Sequence, residues 1–149
     1  MERVDIVHST ETSRHVRLRA LVAALACAGL IVVATYLTPD PRGLGTHEQL
    51  GLPPCISSTY LGVPCPFCGM TTAFALMAHA RLTDAVHTQP AGAAFFAVCI
   101  IALAGALATA VLGHTPKHAA ALARAPWIGG AALAIVAVAW VYKMIGFYQ

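Results

Sequence analysis

Residues 91–112 read AGAAFFAVCIIALAGALATAVL, 22 positions without a charged side chain. A helix of that length, rising about 1.5 Å per residue, matches a hydrocarbon core of about 30 Å. The stretch therefore reads as a membrane span, and its many Ala and Gly residues allow close helix approach. Ala102, Ala106 and Ala110 recur every four positions and mark a candidate packing face.

Two further apolar runs flank it. Residues 18–37 are apolar apart from Arg19 and Thr35, and residues 127–145 open at Trp127 and close near Tyr142, Phe147 and Tyr148, aromatic anchors suited to a lipid–water interface. A secretory leader also begins with a basic segment followed by an apolar one. This first run exceeds the usual length of about 7 to 15 residues and lacks a small-x-small cleavage site, so it reads as a span. Composition agrees: 58% hydrophobic and 10% charged residues lie outside the range of soluble domains. The net charge of +3 is spread beside the apolar runs, which excludes a basic stripe for nucleic acid.

The expected fold class is all-α and integral to the membrane, with three transmembrane helices and one short re-entrant or interfacial helix. Residues 1–17 form a polar tail and residues 18–149 a single membrane domain, with residues 38–90 as the loop between the first two spans. Pro39-Asp40-Pro41-Arg42-Gly43 stops the first span, and Ile56 to Val63 is either strand-like or irregular. Thr71 to Leu82 carries apolar residues at Phe74, Leu76 and Met77 and predicts a helix of about three turns, too short to span and too apolar for water. Asp84 to Pro90 is expected to break it. His114 to Ala125, with Lys117, His118 and Arg124, is a polar connection.

Basic residues orient the chain. Four of the nine Lys and Arg residues precede or enter the first span and two lie between the second and third, leaving Arg42, Arg81 and Lys143 for the opposite side. The positive-inside rule places the amino terminus in the cytoplasm, and the loop and carboxyl terminus outside. In a bacterial inner membrane that side faces an oxidising compartment.

Five cysteines are too few and too uneven for a secreted disulfide scaffold. Cys27 and Cys99 lie within apolar runs, where a thiol acts as a small hydrophobe. Cys65-Pro66-Phe67-Cys68 is different, because two thiols three positions apart ahead of a helix suit three roles. One is a structural clasp, by disulfide or tight turn. Another is half of a Zn or Cu site, with Cys55 as the third ligand. The last is a thiol–disulfide couple of Cys65 and Cys68.

His79 lies about 16 Å from Cys68 along a continuous helix and is excluded from a shared ion, while His47 and His87 are unconstrained. Gly69 stands where a covalent haem motif requires His. Gly69 also permits a positive φ, and Thr71 or Thr72 is placed to cap the following helix. Trp140 packs on lipid or core, and Lys143 snorkels to the interface or approaches Asp84 or the cysteine loop.

Pro54-Cys55, then Gly62-Val63-Pro64-Cys65-Pro66-Phe67-Cys68-Gly69-Met70-Thr71-Thr72-Ala73-Phe74, then Gln89-Pro90-Ala91-Gly92 resemble the domain of unknown function 2752 family of bacterial membrane proteins. The resemblance spans about residues 50 to 147 and implies a small multi-span inner-membrane protein. This chain has Thr71-Thr72 where many members have Thr-Arg, which removes an anion-binding group. The residues favour a non-catalytic membrane subunit or binding module over an enzyme, set in the lipid bilayer beside a membrane protein partner or a second copy.

Overall fold

The computed structural model describes residues 2–114 and 126–147, and among them every regular element is helical. Three long helices, α1 (Glu2–Tyr36), α5 (Pro90–Leu112) and α6 (Trp127–Phe147), are joined by a loop region that carries a 3-10 turn (Thr46–Leu50) and the short helices α2 (Ile56–Tyr60), α3 (Met70–Ala78) and α4 (Leu82–Thr88). Segments Ser13–Tyr36, Pro90–Leu112 and Trp127–Ile145 are each long and apolar enough to cross a membrane. At most 17% of each span's apolar core is buried inside the protein. Leu25, Ile101 and Leu133 are more than 70% exposed, a surface that water would not tolerate and lipid accepts. The chain is a multi-pass membrane protein.

Residues expected as a polar tail continue α1 as one helix from Glu2. The expected connection lies outside the described residues beyond His114, with Lys117, His118 and Arg124, and so does the anchor Tyr148.

Helices α1 and α5 run antiparallel, and Ser13 Oγ, where the apolar span of α1 begins, donates to Gly113 O at the end of α5 (3.4 Å). Small side chains at Ala20, Ala24 and Ala34 are buried along α1, so the helices meet through methyl groups and backbone, as lipid-embedded helices do. The expected repeat on α5 is only partly the packing face. Ala102 is exposed, and burial follows Phe96 and Thr109 instead.

The loop region differs most from expectation. Residues 56–60 are helical, neither strand-like nor irregular. The short helix expected over 71–82 is α3, which ends earlier, at Ala78, and Asp84 to Thr88, expected as a break, belongs to a further helix, α4. The break falls at His79-Ala80-Arg81, where Ala80 takes φ +59. Arg81 N–H there donates back to Leu76 O (2.9 Å) in the pattern that ends helices at a left-handed residue. Arg81 then opens α4 and holds Asp84 in its first turn (2.7 Å), which favours the positive helix end. Gln89 is extended, as a residue before proline must be, and Pro90 starts α5.

Helix α3 lies against the start of α5, with Phe74 and Phe96 edge to face at 5.4 Å and Leu76, Ala85 and Ala93 sharing one cluster. Gly92 makes this approach close. A Cβ there would stand 2.7 Å from Ala73 Cβ and 3.2 Å from Met70 Sδ. Replacing Gly92 by Leu should therefore cost about 1–3 kcal/mol through overpacking, read as a lower thermal midpoint in detergent, whereas Gly105→Leu, where nothing lies within 4 Å, should leave the midpoint in place.

Candidate metal centre in the cysteine loop

Backbone hydrogen bonds shape the Cys65–Cys68 segment before any side chain acts. Cys68 N–H donates to Cys65 O and Met70 N–H to Phe67 O, both at 3.0 Å, so two consecutive turns put the thiols on one side. Gly69 follows at φ +83 and caps α3 without a side-chain bond. A Cβ at Gly69 would collide with Lys143 Nζ and stand 2.6 Å from Gly43 O. Capping by Thr71 or Thr72, expected from sequence, does not occur. Thr72 Oγ1 instead pairs with Thr46 Oγ1 at 2.8 Å in a buried contact that ties the 3-10 turn to α3.

Every second carbonyl of the segment is bound from outside it. Trp140 Nε1 donates to Pro64 O (3.0 Å), Gln89 Nε2 to Pro66 O (2.8 Å) and Lys143 Nζ to Cys68 O (2.7 Å). Lys143 also reaches Gly43 O and Thr88 O, each at 3.4 Å, so one ammonium gathers three stretches of loop. Asp84, an alternative partner for Lys143, is held by Arg81. Trp140 thus has a polar role beyond packing on lipid or core. The roles of Gln89, fully buried, and of Thr46 escape sequence reading, although Gln89 stands in the stretch that carries the family resemblance. A signal existed for Gln89, since an amide just ahead of a charge-free span needs a partner inside the protein.

The outcome is a thiol cluster. The sulfur atoms of Cys55, Cys65 and Cys68 all lie within 4.8 Å of one another, and the five cysteines are free thiols, so the bond weighed for Cys65 and Cys68 is not formed. Tetrahedral Zn–S bonds of about 2.3 Å put neighbouring sulfurs about 3.8 Å apart, a spacing the cluster reaches with little movement. His79 lies apart from the cluster, its Nδ1 bonded to Ala75 O (2.7 Å). Cys27 and Cys99 are neighbours between α1 and α5, far along the chain from the loop.

The thiols differ in acidity. Cys55 sits at the amino end of α2, where the backbone N–H of Ser58, followed by the Cys65 and Cys68 thiols, holds its pKa down to about 7. Burial pushes Cys68 up to about 12, with Cys55 and Cys65 adding to the effect. Near neutral pH the cluster holds a ready thiolate at Cys55 beside a thiol that loses its proton to a metal rather than to water. The sulfurs face a cavity of about 340 Å³ whose wall includes His47, Leu52, Phe67 and Thr71.

A helical multi-pass membrane protein with a three-cysteine cluster at one end of its bundle is the class that fold and site define. Residues 55–103 match the family model described as protein of unknown function (DUF2752), which supports the resemblance drawn from the cysteine segment. The match takes in all three thiols, Gly69, Gln89 and Gly92, while Trp140 and Lys143 lie beyond it. No curated protein and no solved structure matches this chain.

In reduced, metal-free protein, alkylation of Cys55 should rise through a midpoint near pH 7 while Cys68 stays slow, because a lowered pKa exposes thiolate early and a raised one withholds it. Lys143→Met should remove the charged donor to Cys68 O, cost about 1.5–3 kcal/mol and speed alkylation of Cys68. Mass mapping of labelled thiols checks both, and an unchanged Cys68 rate would deny Lys143 its role in holding the segment.

Proposed function

We propose that the chain is a membrane subunit or binding module whose cysteine loop holds one metal ion, Zn or Cu, through Cys55, Cys65 and Cys68. The supporting observation is the gathering of three free sulfurs within 4.8 Å from two loop segments that share no regular element. Soft thiolates at that spacing suit Zn(II) and Cu(I) over hard cations. The bound ion would clasp the Pro53–Cys55 segment to the Cys65–Cys68 turns and fix the surface offered to a membrane partner or a second copy. Helices α3 and α4 act as the interfacial or re-entrant element of a single membrane domain. The host membrane is the bacterial inner membrane, with the amino terminus cytoplasmic and the cysteine loop external.

A second reading draws on the contrast between Cys65, half-buried at the cavity, and Cys68, buried behind it. In that reading the Cys65 thiolate attacks a substrate disulfide and releases one substrate thiolate. Cys68 then displaces the second, leaving a Cys65–Cys68 bond.

Reduced full-length protein should bind one Zn(II) per chain by elemental analysis, and Cys55→Ser, Cys65→Ser and Cys68→Ser should each lose it. Absence of metal in the wild type, together with a mixed disulfide trapped on Cys65 in Cys68→Ser under mild oxidant, would transfer the assignment to thiol exchange. Orientation has its own check: a membrane-impermeant maleimide should label Cys55 in reduced, metal-stripped intact cells, and labelling only after lysis would invert the topology.

A further inference from the structure

Three thiolates are one ligand short of the tetrahedral set that structural Zn(II) takes. Resting on the metal reading above, we infer that His47 supplies the fourth ligand through Nδ1, making a Cys3His site for Zn(II).

His47 stands on the wall of the cavity that Cys55, Cys65 and Cys68 also line. Its Nε2 lies 3.2 Å from Pro53 O, and because a carbonyl only accepts, Nε2 carries the ring proton. The lone pair is then on Nδ1, the nitrogen left to bind metal. A ring N–H donated to a backbone carbonyl is the outer arrangement that fixes tautomer and orientation in ligating histidines. The acceptor here lies two residues before Cys55, so the same contact joins the fourth ligand to the segment bearing the first.

The other candidates are occupied or elsewhere. Met70 also borders the cavity, but its sulfur packs toward Gly92. His79 Nδ1 is committed to Ala75 O, and His87 faces Tyr142 (3.5 Å). Asp40 and Glu48 flank Arg42, and among the described residues no carboxylate lines the cavity.

His47 lies beyond the 4.8 Å sphere that the sulfurs share, and its turn is tied down by Gln49, which donates to Thr38 O at 2.7 Å, so the imidazole has to close the gap by rotation of its own side chain. Gly45 (φ +90) and Gly51 (φ +76) bound the turn in left-handed conformations, while Thr46 keeps its base on Thr72. A neutral imidazole adds no charge, so Zn(II) with three thiolates leaves a single negative charge near the Lys143 ammonium that binds Cys68 O.

The test uses the reduced full chain in nanodiscs, loaded with Zn(II), with Co(II) as a spectroscopic stand-in. X-ray absorption of the Zn(II) form should show three sulfurs and one imidazole. His47→Ala should lose the imidazole signal, weaken Zn(II) binding about tenfold or more and shift the Co(II) ligand-field bands, which added free imidazole should restore. His79→Ala should match wild type. A wild-type spectrum with three sulfurs and no imidazole, with water as the fourth ligand, would overturn His47 and leave the cysteine site standing. Retention of the metal spectrum in Cys68→Ser would overturn both.

Discussion

The bond from Lys143 to the carbonyl of Cys68 is the constraint on which the rest of the cysteine loop depends. Pro64 and Cys68 are buried within the loop, so carbonyls there need partners from the protein. Here the partners alternate. Pro64, Pro66 and Cys68 are bound by Trp140, Gln89 and Lys143, while Cys65 and Phe67 serve the two local turns. Trp140 and Lys143 are three residues apart on α6 and so share one helical face. The third span therefore holds the loop from outside, and its ammonium occupies the space that a side chain at Gly69 would need.

That constraint fixes one side of the thiol cluster. Cys55 belongs to a different segment from Cys65 and Cys68, and Ser57 Oγ, donating to Val63 O at 2.7 Å, ties the start of α2 to the residues just ahead of Cys65. The backbone N–H groups at the start of α2 then favour a thiolate at Cys55, while burial disfavours one at Cys68. This asymmetry suits a site that takes up a metal with release of protons. The three spans themselves are only lightly packed on one another, since lipid covers most of their apolar surface. Helix α3 meets α5 closely over Gly92, and Met70 at that contact also lines the cysteine cavity.

Much of the fold was legible in the sequence. The three spans appear within a few residues of where length and apolarity put them, because membrane thickness acts on each helix separately. Local rules were weaker in the loop. Asp84 to Thr88 reads as a break because a charge and Pro90 interrupt the apolar pattern, yet Arg81 pairs with Asp84 and turns those residues into a helix of their own. Thr72 reads as a cap by its position, but its hydroxyl is taken by Thr46, 26 residues away.

The sequence by itself determined the class of protein and the three thiols worth watching, since apolar length and the Cys-Pro-Phe-Cys spacing are local properties of the chain. Only the tertiary structure brought Cys55 beside Cys65 and Cys68, put His47 on the same cavity and set Gln89, Trp140 and Lys143 on alternate carbonyls. These are contacts between residues far apart in sequence. They exist because buried carbonyls must find donors wherever the packed helices supply them.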